Sequence, residues 1–436
     1  MPQPRLTGTA LPPPLFAAGG LGTEYLAIAA LTCALFIYGF VGDVLGPVGE
    51  VMRQVAIFLT VALAMAGAAL CIVRGMLLAA ILSIAGLLSV FVYLAVFSEN
   101  SLVPFSWMSG GSYVGVTLIG LFSLTLQDRT FGRLMKHFYF VCCAYTVFYV
   151  LASVAIKLGA FDIAGTHAIA GADDFGRGPR LHPAIAALIF GTTYAVIRWA
   201  RRPNVWDLLL IALFLAAWIA TQSRLITALA ALVIAGYMLA PHIRMISRAA
   251  LYVFLAIFAY SLALAFYPEI NPFTYFSDTS AVVRINSIHI VANSMRYYWL
   301  HGAGIAFGVD GYLPLSGITY FFPGDIGILG ILYIYGIPGA FAYLAICYLA
   351  CTADPRMASR GYSPILTHAV TVTGVILTFY SFQSAQFNGG ASGAIFASLF
   401  VALAVTPRAS ERNAGLPVIG RVDISSQPNR PTPRRF

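Results

Sequence analysis

Where apolar runs dominate a chain, the few polar clusters are the places to look for chemistry. Three stand out here. The first runs from Asp162 to His182 and contains Asp173, Asp174, Arg177 and Arg180. The second is the short tip Thr221-Gln222-Ser223-Arg224. The third, about 268–325, carries Arg284, Arg296, His301 and Asp325. The cations in all three are arginine, and the whole chain has 23 arginines against two lysines, Lys136 and Lys157. A guanidinium grips a phosphate through a planar fork and keeps its charge when desolvated. A GC-rich coding bias would also favour arginine, so the argument rests on position rather than number.

The elements that must position these clusters follow from composition. Hydrophobic residues make up 60% of the chain and charged residues 9%, against roughly 25% charged in a soluble domain. Mean hydropathy is +0.84. Too few polar residues remain to cover a soluble surface. In lipid every backbone N–H and C=O must be paired internally, and long continuous apolar runs select helices over an alternating barrel. Runs of about 20 residues fall near 25–42, 55–73, 75–97, 110–126, 137–157, 183–199, 207–221, 225–240, 250–267, 326–350, 364–384 and 391–406. The expected fold is all-α: a polytopic transmembrane bundle of about 12 spans over 1–406. A large outer-face loop, about 268–325, separates spans nine and ten. The tail 407–436, rich in Arg, Pro and Ser, has little to bury and reads as a disordered cytoplasmic extension.

Orientation follows from the basic residues. With both termini cytoplasmic, 18 of the 25 fall inside; six of these are in the tail, and every inner loop has at least one. The net charge of +9 is largely this asymmetry and does not point to nucleic acid. The start of the chain lacks a signal-peptide pattern: Arg5 is its one basic residue and Pro12, Pro13 and Pro14 interrupt any apolar core. The first span is expected to serve as an uncleaved anchor.

Arg224 is the sharpest signal. Its flanking apolar arms are about fifteen residues each, short enough to hold the tip below the membrane surface. An arginine there is costly unless it meets a wet cavity or a partner; the ordinary alternative is snorkelling to headgroups. In the long loop, Ile285, Ile288, Ala292, Met295 and Trp299 recur at helical spacing, with Arg284, Asn286, His289, Asn293 and Arg296 between them. That pattern predicts a helix lying on the outer face, apolar side down. The ordinary reading of Asp325 is an N-cap, and of His301 a turn residue.

Several chemistries have no motif to carry them. No GxxxxGK[ST] loop is present to hydrolyse ATP, and no HExxH or Cys/His cluster marks a metal. The six cysteines all lie in expected spans; Cys347 and Cys351, one turn apart without a matching His or acid, read as lipid-facing filler. Gly302-Ala303-Gly304-Ile305 follows no strand and reads as a tight turn rather than a dinucleotide loop.

Over roughly 180–350 the chain resembles the Wzy-type polymerases of bacterial surface polysaccharides and the related O-antigen ligases. The resemblance rests on Thr221-Gln222-Ser223-Arg224 before an apolar span, on the late outer loop in which Arg284 opens a helix and "YYWLHGAGIAFG" follows at 297–308, and on "GDIGILGILYIYGIPG" at 324–339. Ligases of this superfamily carry a His near the end of the loop; here the stretch reads "YFFPGDIG", with Asp325 and no His. The polymerase branch, of the kind that joins repeat units of xanthan-like polymers, therefore fits better.

The resemblance implies metal-independent glycosyl transfer at the outer face of the inner membrane, without a cofactor. The donor would be a glycan on polyprenyl diphosphate, and the acceptor a lipid-linked repeat unit. Expected partners are membrane lipid, a chain-length co-polymerase and export proteins. Arg224 and Arg284 would stabilise the departing diphosphate, assisted by Arg177 and Arg180, with Arg296 also within reach of anionic groups. Asp325, then Asp173, Asp174 and His301, are candidates for the base. A ligase, a lipid-linked-sugar flippase and a non-catalytic export subunit are the rivals. The flippase is disfavoured by the missing half-to-half similarity and by the scarcity of intramembrane acids, Glu24 and Asp207 being at span ends.

Overall fold

The computed structural model describes residues 20–407, apart from 161–168, 171–179, 182, 222, 240–242, 276–278, 307–310, 319–320 and 390. Asp173, Asp174, Arg177, His182 and the tail 408–436 lie outside the described residues. Packing separates one unit, Met1–Thr406, from Pro407–Phe436, and all the described helices belong to the first.

Almost everything in it is helical. The first half comprises α1 (Gly20–Tyr38), α2 (Val41–Val44), α3 (Gly46–Val73), α4 (Leu77–Ser101), α5 (Ile119–Gln127) and α6 (Phe131–Lys157). A 3-10 segment, Trp107–Thr117, leads into α5. Two-residue strands, β1 (Ile169–Ala170) and β2 (Arg180–Leu181), pair antiparallel, so Arg180 sits in the second of them. Next come α7 (Ile185–Arg201), α8 (Val205–Thr221), α9 (Arg224–Leu239) and α10 (Ile243–Phe266). Short 3-10 turns at Pro268–Ile270 and Pro272–Tyr275 precede α11 (Thr279–Tyr298) and α12 (Leu313–Ser316). A 3-10 turn at Pro323–Ile326 opens α13 (Gly327–Cys351), followed by α14 (Ala353–Ala358), α15 (Pro364–Tyr380) and α16 (Ala394–Val405).

Among the described residues, α3, α4, α6, α10 and the stretch Pro323–Cys351 are each long and apolar enough to cross a membrane, and six shorter apolar helices accompany them. The short ones α5, α15 and α16, with α7, fill the middle and are buried on nearly every side. The longer helices pack around them and turn apolar side chains outward, as Val55, Phe58, Ile81, Leu88 and Val253 do. Exposed apolar surface on this scale fits a membrane environment.

Several polar groups inside the bundle are bonded between helices. The Thr193 and Thr373 hydroxyls meet at 3.0 Å, Trp218 Nε1 donates to Thr192 Oγ1 at 2.9 Å, and Ser83 Oγ accepts from Gly120 N at 2.7 Å. One reading of the sequence needs correcting. Cys347 and Cys351 are buried, not lipid-facing. Cys71 is buried too, and its Sγ donates to Gly120 O, which shows why a small side chain suits a helix crossing. Glu24 and Asp207 stand near helix ends as expected, and each is 2% exposed. Glu24 pairs with Arg133 and His137, and Asp207 with Arg198.

Candidate functional site

Contacts sort the polar residues onto two ends of the bundle. Glu24, Arg74, Asp128, Arg133, Arg198, Asp207, Arg244, Asp354 and His368 are knitted together at one end by ion pairs. The other end gathers Tyr38, Tyr93, Asn100, the segment 299–306, the start of α13 and the loop 381–393. Arg284 and Asp325 lie at this second end.

The feature that organises it is a break in α13. Gly336 adopts φ +65° and ψ −165°, and Pro338 follows inside the helix. Pro338 has no N–H to give to Ile334 O, and Ile337 N does not bond Tyr333 O as a regular helix would. The segment after α11 supplies the missing partners. Ala303 N donates to Tyr333 O at 2.7 Å, Gly304 N to Ile334 O at 3.0 Å, and Ile337 N to Trp299 O at 2.9 Å. Glycine is required on both sides: Gly302 has φ +78°, and a Cβ there would stand 2.2 Å from Ile334 O. The turn is also tied to α4, since Ile305 N donates to Tyr93 O.

Tyrosines brace the arrangement. Tyr93 Oη donates to Tyr335 O at 3.0 Å, and Tyr335 Oη to Asn388 Oδ1 at 2.6 Å. Tyr312 Oη donates to Gly304 O at 2.9 Å. Burial pushes the Tyr312 hydroxyl well above the usual tyrosine range, so it stays a neutral donor.

Fixed this way, the start of α13 carries Asp325 to the side of α11. Arg284, in the second turn of α11, is half-buried. Its Nε donates to the Asp325 carbonyl at 3.4 Å, and its guanidinium lies 5.4 Å from the centre of the Phe273 ring. Phe273 stacks on Phe382 at 6.4 Å. Ala385 N donates to Gly324 O, and a Cβ on Gly327 would collide with Ser381 O, so the loop after α15 is in direct contact with this turn. Two buried polar atoms nearby, Asn271 Nδ2 and Gln383 Oε1, have no hydrogen-bond partner among the described residues. The Asp325 side chain is exposed. A cation, a carboxylate, stacked aromatics and spare amide groups thus share one corner.

Arg224 begins α9 and is exposed, with no ion-pair or hydrogen-bond partner among the described residues. Its level can be worked out. Tyr237, in the last turns of α9, meets His368 in the first turns of α15, so the two packed helices run antiparallel. Arg224 lies 13 residues from Tyr237, and Ser381 lies 13 from His368. At 1.5 Å per residue both climb about 20 Å, which brings Arg224 level with Ser381 and Phe382.

The other candidates sit apart. Arg296, in the last turn of α11, is exposed, and its guanidinium lies 4.6 Å from the Tyr297 ring centre. His301 is exposed in the turn that follows. The helix α11 forms as expected, but it rests on protein rather than on lipid: Ala281, Ile288, Val291 and Met295 are buried against α10 and α13, whereas Trp299 is half exposed. Phe273, Phe382 and Gln383 were not legible as site residues, since no spacing links 273 to 382. Asn388 lies in the short loop between the expected spans 364–384 and 391–406, where nothing in the pattern marks it. Among the described residues no group of three His, Cys, Asp or Glu is placed to hold a metal. Comparison of the chain with protein-family models, with curated proteins and with solved structures finds no match to any of them.

Proposed function

We propose that this chain is a membrane glycosyltransferase that joins polyprenyl-diphosphate-linked oligosaccharide repeat units into a polysaccharide at the outer face of the inner membrane. In this reading it crosses the bilayer about twelve times, with both termini cytoplasmic. The observation that carries the proposal is Arg284 beside Asp325, over the Phe273–Phe382 stack.

The chemistry needs few parts. The bond from the anomeric carbon to the diphosphate breaks, and its electron pair leaves with the diphosphate. The acceptor hydroxyl oxygen forms the new bond and gives its proton to a base. Asp325 would be the carboxylate that takes that proton. Arg284 opposes charge growing on the diphosphate, with Arg224 at a similar level. The aromatic stack offers a face to sugar rings.

A transporter reading draws on the broken α13, because discontinuous helices often line substrate sites. In this chain, however, the groups freed by the break are taken by 299–304. They are not left to coordinate an ion, and the enzyme remains the better reading.

The test is chain growth by purified protein in lipid from synthetic polyprenyl-diphosphate repeat units. Wild type is expected to make long chains without ATP. Arg284→Ala is expected to slow growth by about 10²–10³, the usual loss for one electrostatic donor, with Arg284→Lys intermediate. Failure of folded wild type to extend any correct repeat unit would reject the enzyme. Full activity of Arg284→Ala would remove Arg284 from it.

A further inference from the structure

The end of the bundle opposite Arg284 is rich in cations, and one part of it is shaped to receive something. A hollow of about 800 Å³ lies between α6, α7 and the start of α15. Lys136, Arg198, Arg201 and Arg202 line it together with Tyr139 and Tyr194, and no carboxylate is among its lining residues.

These cations are under-neutralised. Asp207 takes one side of Arg198. Arg201 Nη2 lies 3.2 Å from His368 Nδ1. Because a guanidinium only donates, that nitrogen must be the acceptor and the contact brings no negative charge. The Lys136 and Arg202 side chains are exposed and have no partner among the described residues. Like charges converging on one space repel unless an anion joins them.

Two buried donors at the same hollow also lack a proper acceptor. Arg198 Nε has none among the described residues. The Tyr139 hydroxyl, on a residue 1% exposed, has only the Cys143 thiol, a weak partner. Buried donors are normally satisfied. The wall around them is apolar and aromatic, and the Arg198 guanidinium lies 5.4 Å from the Tyr139 ring centre. Phe140 lines the hollow and is 63% exposed, while Trp206 at the start of α8 is 70% exposed. An exposed Trp four residues from Arg202 suits a membrane–water boundary.

We infer that this hollow binds a phosphate-bearing anion, held by Lys136, Arg198, Arg201 and Arg202. Its position at an apolar edge suits the headgroup of an anionic phospholipid, whose acyl chains would run down past Phe140. A soluble diphosphate offers the same oxygens.

The experiment uses the full chain in nanodiscs of neutral phosphatidylcholine, with and without phosphatidylglycerol, and separately in detergent with inorganic pyrophosphate. Bound lipid is counted by native mass spectrometry, and affinity is read from the rise in unfolding temperature. Wild type is expected to bind. At about 1 kcal/mol per basic residue, Lys136→Gln/Arg202→Gln should weaken binding about thirtyfold, and Arg202→Gln alone about fivefold should the double variant not fold. The control Arg129→Gln/Arg248→Gln removes equal charge from the same end outside this hollow and should bind like wild type. Stabilisation by phosphatidylglycerol alone identifies a headgroup, and stabilisation by pyrophosphate as well identifies a soluble ligand. Failure of wild type to bind either probe, or equal weakening in both double variants, would overturn the inference.

Discussion

The exchange between α13 and the segment 299–304 makes a sharp prediction about Gly302. Replacing it with alanine places a Cβ 2.2 Å from Ile334 O and 2.6 Å from Ile334 C, both backbone atoms. No rotamer can relieve such a contact. The left-handed backbone alone costs about 1–2 kcal/mol for a residue with a side chain. Escape from the clash requires the segment to withdraw, which breaks Ala303 N→Tyr333 O and Gly304 N→Ile334 O. Each buried polar group left unpaired costs about 1–3 kcal/mol, so the total comes to about 4 kcal/mol or more. Gly317 is the natural control. It has φ +68° but open space where a Cβ would go, so Gly317→Ala should cost only the backbone component, about 1–2 kcal/mol. Reversible SDS titration in mixed micelles would measure both variants side by side, and amide exchange at Tyr333–Ile337 would report whether the pairing opens. Equal losses for the two variants, with Ile337 still protected in Gly302→Ala, would refute the exchange as the clasp of this helix.

Two further expectations follow. Asp207→Asn should destabilise the protein by about 3 kcal/mol, because Asp207 is 2% exposed and its removal leaves the partly buried Arg198 without its carboxylate; the same titration would check it, and a loss below about 1 kcal/mol would mean that water already serves Arg198. In a cysteine-free background, impermeant maleimide should label Arg202→Cys and Arg296→Cys from opposite sides of sealed vesicles, both sites being exposed; labelling of both from one side would break the assigned topology.

The helices were largely legible in the sequence, because a run of about 20 apolar residues needs no partner to be recognised. Helical segments stand at each of the places where such runs occur. The site was legible only in part. Arg284 and Asp325 could be picked out as polar residues flanking one loop, but their adjacency depends on how α11 packs against the turn that opens α13, and the seating of that segment on the break at Gly336 is no more legible. A Gly and a Pro two residues apart in an apolar run are compatible with a kinked helix or an intact one; what decides is a non-local backbone partner about thirty residues earlier, which side-chain pattern does not encode. The stripe of α11 was misassigned for a related reason. Periodicity identifies a helix, but Ile285 and Trp299 are as apolar as Ile288 and Val291, and only the position of α10 and α13 selects which of them are covered. The end positions of Glu24 and Asp207 were legible, but their burial was not, because their partners, Arg133, His137 and Arg198, come from neighbouring helices.

The break in α13 also bears on how the chain is made. In its broken form the helix leaves backbone groups at Tyr333, Ile334 and Ile337 open, and in hydrocarbon each unsatisfied group costs several kcal/mol. The segment that satisfies them precedes α13 in the sequence and therefore leaves the ribosome first. Synthesis order thus delivers the template before the helix that needs it. The broken form of α13 then depends on the loop having already folded against α4, through Ile305 and Tyr93. An upstream defect in that loop would consequently show itself as a misformed helix further down the chain, before any question of activity arises.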